Sequence, residues 1–501
     1  MANRMGPLSG LALCLAVALA DVETAAGASR AFLRARLVKQ ISADPFAGAA
    51  GSQADTQTEP HVAFDPTNPS TLVAVFQQGR FADGASVGPG YAASHDGGRT
   101  WSTGSLPGLT VATGGSFDRG SDAVVAIGPD GAVYAQTLLV NTQSDSTVAR
   151  TAVAVQRSDD GGLTFAPPVM VEDDVFSSPF AFNDKNWIAV DTFPGGPHQG
   201  RVYSVWAQGP SGLYQLVLRY SDDRGATWSS LVAISAGAFP VTQGAQPVVL
   251  PNGDVSIIYN AVPPCLEVSQ TSHDGGEHFD PPVTIGACKV TTVPGMRTAA
   301  LGFLVLPAAA VDPLTGSLYV VWQDGGFRSD GLNDIVLAVS HDGGASWRGP
   351  VVVVAADGAR GLNRFTPAVA AYDGAVAVAY SSRRAAENKV LTRYVVSADG
   401  AVTFGRERRL GRPGNLGFAA RATDHLHPEE LAFLGDYMGL VMSPRAAHAV
   451  WCRPSRPRSN AMPHQTTWSA RIPRAVPTRT RSVSSAVHGS SASNRIARTR
   501  S

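Results

Sequence analysis

Apolar residues along this chain come in short alternating runs, and the runs repeat. Seven segments share one pattern: TLVAVFQ from Thr71, AVYAQTL from Ala132, RVYSVWA from Arg201, DVSIIYN from Asp254, SLYVVWQ from Ser317, AVAVAYS from Ala375 and AHAVWCR from Ala447. Each is β-branched or aromatic in character and too short for a helix, and most follow a tight-turn sequence such as PDG, PNG, LTG or YDG, which predicts a strand entered through a hairpin. Before the turn stands another apolar stretch, such as HVAFD or WIAVD. After the strand comes a third stretch, ended by a motif that recurs six times: SHDGGRTW at Ser94, SDDGGLTF at Ser158, SDDRGATW at Ser221, SHDGGEHF at Ser272, SHDGGASW at Ser340 and SADGAVTF at Ser397.

The motif has a structural chemistry. Its Ser and Asp side chains can bond backbone groups across a turn, its glycine can take positive φ, and its aromatic residue can bury between sheets. Asp96, Asp160, Asp223, Asp274, Asp342 and Asp399 are therefore read as turn clamps rather than catalytic acids. The repeating unit is four strands with this turn joining the third to the fourth, which predicts an all-β fold, a β-propeller of four-stranded blades. Six clamps but seven second strands point to seven blades, with six as the alternative. The last unit lacks a fourth strand, and AFLRARLVKQIS at residues 31–42 has the alternation to supply one and close the ring.

Composition changes the picture at the ends. The chain has 501 residues, 40 basic and 40 acidic, but residues 453–501 hold ten Arg and no acidic residue, so the body is acidic and the tail basic. Residues 1–20 read as a secretory signal, with an apolar stretch from Leu8 to Ala20 and small residues at a cleavage position. The expected organisation is a signal at 1–20, an N-terminal segment with the closing strand at 21–55, the propeller at 56–473 and a disordered basic tail at 474–501. No later apolar run is long enough to span a bilayer. A monomer outside the cell or on its envelope is expected. Cys265 and Cys288 flank a turn near Gly276 almost symmetrically, a spacing that a disulfide or two separate thiols would both satisfy. No zinc-ligand spacing, EF-hand loop or phosphate-binding glycine loop occurs, so no metal or cofactor and no nucleic-acid partner is expected.

The Ser-x-Asp-x-Gly-x-Thr-Trp copies resemble the Asp box, or bacterial neuraminidase repeat, of the sialidase superfamily. QTEPHVAFDPTNPSTLVAVFQQGR, GGSFDRGSDAVVAIGPDGAVYAQ and FLGDYMGL resemble secreted bacterial exo-α-sialidase-like proteins. The resemblance runs from about Thr56 to Pro473 and implies a glycoside hydrolase acting on sialylated or other acidic glycans. No Phe/Tyr-Arg-Ile-Pro motif precedes the first blade, which keeps a second reading open, a non-catalytic propeller binding glycan or protein. A third is an envelope protein anchored by its tail.

Strand alternation places the longer connections, where binding residues sit on a rigid scaffold, at the end of the ring away from the Ser-Asp turns. Their polar residues include Glu59, Lys185 and Asp436, to which no role is assigned. For an anionic sugar, Arg119, Arg297, Arg364, Arg80 and Arg328 are the candidates for substrate charge, because a guanidinium offers a planar fork to a carboxylate. Asp122 or Asp184 is the candidate acid. Sialidases use a Tyr nucleophile, and the resemblance extends that role to Tyr437 with Glu430 as its partner.

Overall fold

Seven second strands bury both faces, and that decides the architecture. Leu72–Arg80 is buried along its whole length. Its alternate residues go to different neighbours: Val73 and Val75 pack with Val125, Val133 and Ala135 of the next sheet, while Ala74 and Phe76 pack with Val62 and Val450. A strand apolar on both sides needs a sheet on each side, and sheets stacked face to face in a circle provide it. The computed structural model describes residues 34–46, 48–141, 149–176, 182–209, 213–235, 237–289, 291–297, 305–354, 361–423, 430–457 and 463–474. The expected signal at 1–20 and nearly all of the expected tail lie outside these residues.

The fold is a β-propeller. Its four-stranded antiparallel sheets run outward from inner strands Gln57–Phe64, Arg119–Ile127, Phe182–Val190, Val241–Val249, Ala308–Val311, Leu362–Tyr372 and Gly439–Met442. The first two sheets are joined by a single bridge, Ser86 to Gly120. Each inner strand touches the next, and the last touches the first. In the seventh sheet, Arg36–Gln40 lies antiparallel to Gln465–Pro473, outside Ala446–Pro454 and Gly439–Met442. One sheet is thus built from both ends of the described chain. Cys265 and Cys288 form a disulfide between the third and fourth strands of blade four.

The Ser-Asp turns follow one bonding scheme. In the first, Ser94 Oγ donates to Asp96 Oδ1 (2.9 Å) and accepts from Gly98 N (3.0 Å). Asp96 Oδ1 also accepts from Thr100 N (2.9 Å), and Oδ2 from the Thr100 hydroxyl (2.6 Å). That hydroxyl is the main reason the Asp96 carboxyl is held down to about 2. The scheme recurs at Asp160, Asp223, Asp342 and Asp399, and at Asp274 with His278 Nδ1 replacing the hydroxyl. Gly98 and its counterparts have positive φ, and where the sixth turn has Ala401 the backbone still takes φ 70°. These carboxylates are spent on the turn.

Candidate functional site

Five of the inner strands do not pair regularly along their length. Register shifts fall between Thr58 and His61, Ser121 and Val124, Asp184 and Trp187, Gln243 and Gln246, and Phe365 and Ala368. Within each bulge one residue adopts left-handed backbone: Glu59 (φ 52°), Asp122 (44°), Lys185 (50°), Gly244 (69°) and Thr366 (50°). A bulge unpairs one residue and re-aims its side chain. Left-handed backbone at a residue with a side chain costs roughly 1–3 kcal/mol and persists where surrounding contacts enforce it. In blades one, two and three the re-aimed side chains are a carboxylate, a carboxylate and an ammonium.

They meet. Lys185 Nζ stands 3.0 Å from Asp122 Oδ1, 2.6 Å from Asp436 Oδ2 and 3.5 Å from Glu59 Oε1. Asp436 comes from the turn before Gly439–Met442, and its backbone N–H donates to Glu59 Oε1 (3.3 Å). Glu59 Oε2 accepts from Gln77, and Asp122 Oδ2 from the Ser121 hydroxyl (3.0 Å). Asp184, one residue before the bulged lysine, accepts from Gln243 Nε2 (2.8 Å).

This cluster forms the base of a cavity of about 320 Å³, whose walls include Arg80, Arg119, Arg297, Phe182, Leu306 and Phe433. Arg80 stacks on Phe433 at 4.1 Å and donates to Gln77 Oε1 (3.0 Å). Arg119 stacks on Phe81 at 4.0 Å and donates to Asp83 Oδ1 (2.7 Å). Arg297 also lines the cavity, 5.9 Å from the Phe433 ring. Planar aromatic supports hold these forks in orientation.

The carboxyls do not share one protonation behaviour. Burial pushes Glu59 up to about 7 despite Lys185, with Asp122 and Asp436 adding to the rise. Burial likewise raises Asp184 to about 6, again against Lys185. Burial also acts on Asp436, but Lys185 and Arg297 outweigh it and hold this group below the ordinary carboxylate range. Within one cavity, Asp184 is kept ready to carry a proton while Asp436 is kept ionised.

Of the residues singled out in the sequence, Arg80, Arg119, Arg297, Asp122 and Asp184 line this cavity together. Arg364 and Arg328 do not, and the reading of them as substrate ligands is corrected. Arg364 is buried against Asp334 (2.6 Å) and Glu407 (3.4 Å), and Arg328 pairs with Asp330 (2.5 Å) and Asp334 (3.3 Å), so both forks are committed between blades five and six. The pairing of Tyr437 with Glu430 is corrected too. The Tyr437 hydroxyl donates to Ala123 O (3.2 Å), its ring stands edge-on to Trp187 (5.2 Å), and burial raises its pKa well above 10. It lines a second cavity beneath the charged cluster, while Glu430 is exposed and lines neither.

Glu59, Lys185 and Asp436 are the functional residues to which sequence reasoning gave no role. The usable signal was positional: TEPH, SDAV, DKNW and QGAQ occupy one register in successive inner strands, and their second residue is the bulged one. The two arginine classes are separable by experiment. Arg364→Met should lower stability by about 3 kcal/mol, because it removes a buried cation from Asp334 and Glu407, and leave ligand affinity unchanged. Arg297→Met should do the reverse; urea unfolding and ligand titration of both variants check this.

No family model and no curated protein matches this chain. Among solved structures, it is similar to a Dyadobacter fermentans protein of unknown function at 14% identity and TM-score 0.46, covering 87% of this chain and 99% of that one. It is similar to the GH93 α-L-arabinofuranosidase of Fusarium graminearum, solved with arabinobiose, at 14% identity and TM-score 0.45, covering 69% and 92%. It is also similar to the Hadza microbial sialidase Hz136 at 15% identity and TM-score 0.43, covering 70% and 65%. What the cleft does chemically rests on its own residues.

Proposed function

We propose that this protein is a secreted glycoside hydrolase whose central cleft takes an acidic sugar. The observation that carries the reading is the placement of two carboxyls, Asp184 and Asp436, in one cavity lined by three guanidiniums. Arg80, Arg119 and Arg297 would receive the carboxylate of the sugar. Asp184 would pass its proton to the glycosidic oxygen as the bond to the anomeric carbon breaks. Asp436 would take a proton from the water that adds to that carbon, which balances the hydrolysis. Lys185 would keep Asp436 ionised, and Gln243 would orient Asp184. Secretion is supported by the disulfide and by the apolar N-terminal segment.

A second reading, a propeller that binds acidic glycans without turnover, is favoured by the Lys185 contacts, which already satisfy much of the negative charge in the cleft. One experiment separates them. Full-length protein is incubated at pH 5 with fluorogenic sialoside, glucuronide, galacturonide and neutral glycoside substrates, and binding of the free acids is measured in parallel. Turnover confined to acidic glycosides is expected. Binding of the acids without any turnover would establish the second reading, and neither would sink both.

A further inference from the structure

The end of the ring opposite the cleft carries a different charge pattern. Arg36 of the closing strand lies directly opposite Arg471 in the antiparallel register, and Arg471 lies opposite His448 on its other side. Arg445, in the hairpin turn of the same sheet, and Arg99, in the Ser-Asp turn of blade one, crowd the same spot; after burial, it is Arg99, Arg445 and Arg36 that depress the Arg471 pKa. Lys39 reaches across to the Arg99 carbonyl. Arg36, Lys39, Arg99 and Arg445 are exposed. Among the described residues, none of these five cations has a carboxylate within ion-pair distance, although Arg474 beside them is paired with Asp373 (3.7 Å). The Arg99 guanidinium donates to a backbone carbonyl, that of Asp96 (2.7 Å).

Like charges directly opposite in a sheet are destabilising, and the body of this protein has acidic residues to spare. We propose that this surface, at the seam between the closing strand and blade one, is a docking site for an acidic polysaccharide, which holds the protein on a polyanionic matrix with the cleft turned outward. Several observations select that partner. The cations are spread over adjacent strands about 4.8 Å apart and a neighbouring turn, a row that suits a chain of regularly spaced carboxylates or sulfates better than one small anion. No large apolar side chain among the described residues is exposed within the cluster, so it offers neither a stacking platform for bases nor a wedge for lipid. The last described residue also lies here: the Arg474 N–H bonds Arg445 O (2.9 Å), and the sequence beyond holds five further arginines and no acid.

The test uses the full chain, with polygalacturonate as the probe, neutral dextran of matched length as the control and a DNA duplex as the competitor class. The wild type should be retarded by polygalacturonate and not by dextran. Arg36→Ser combined with Arg471→Ser should weaken that binding about tenfold at low salt, with an unfolding temperature equal to or above wild type because a repulsive pair is gone. If that variant fails to fold, Arg99→Glu with Arg445→Glu, both in exposed turns, should lose binding to the same extent. Unchanged polygalacturonate binding in these variants would overturn the proposal by assigning the affinity elsewhere, for instance to the residues after Arg474. Duplex binding as tight as polygalacturonate binding would overturn it in favour of a nucleic-acid partner. Asp184→Asn should leave this binding intact, so failure of the cleft reading and failure of this one are read separately.

Discussion

Replacing Lys185 by Met should destabilise the protein more than any other single substitution in the cleft. Three carboxylates, those of Glu59, Asp122 and Asp436, stand within 3.5 Å of its ammonium. Their negative charge raises the Lys185 pKa well above 10.5 against the cost of burial, so the lysine is charged throughout the working range. Removing one partner of a buried ion pair costs about 3–5 kcal/mol. Here one cation serves three anions, so a loss of at least about 5 kcal/mol at pH 8 is expected.

The sign of its pH dependence follows from linkage. Without the lysine, the folded-state pKa of Glu59, already raised by burial, rises further above its unfolded value. Groups raised in the fold contribute stability that is present at low pH and lost as pH rises through the folded pKa. The deficit of Lys185→Met should therefore shrink from pH 8 to pH 5, as Glu59, already at about 7 in the wild type, takes up its proton. Urea unfolding of both proteins at the two pH values measures this. A deficit that is equal at pH 5 and pH 8 would show that lost packing, not charge, accounts for the effect.

Asp184→Asn should lower turnover of an acidic glycoside by about 10²–10⁴-fold, the range associated with loss of a positioned general acid. Wild-type turnover should fall as pH rises through about 6, where Asp184 releases its proton. The variant's residual rate should lack that limb. Stability should move the other way. The fold favours the neutral carboxyl, so the ionised form is a burden above pH 6, and a neutral amide of the same shape should make the variant more stable than wild type at pH 8 and equal to it near pH 4. Loss of turnover with a gain in stability cannot be explained by misfolding. If pH–rate profiles of the two proteins were parallel, Asp184 would not be the acid.

The arginines show how far residue type and spacing carry a site prediction. Arg80, Arg119 and Arg364 sit near strand ends and Arg297 and Arg328 on connections, all at one end of the ring, and nothing local separates them. Three of them face the cavity and two are consumed by Asp334, Asp330 and Glu407. Which carboxylate an arginine meets depends on segments far along the chain, as with Arg364 and Asp334 in adjoining blades. Tyr437 shows the same limit. Its neighbours Trp187 and Ala123 come from blades three and two, and they turn its hydroxyl into a packing contact beneath the charged cluster.

What the amino-acid order determines here is local and repetitive: strands through alternation, turns through the Ser, Asp and Gly of the six clamps, and the propeller through their recurrence, because each sheet must bury both faces against copies of itself. What the tertiary structure decided is the convergence. Glu59, Asp122 and Lys185 lie in one register of successive inner strands, but strand periodicity places side chains on the faces of a sheet, not at the axis of a ring. Only the left-handed bulge, enforced by neighbouring blades, turns them inward to meet Asp436 from the other end of the chain. Closing the ring brought Gln57–Phe64 beside Gly439–Met442, and with them the cluster of charges from which a cleft could be made.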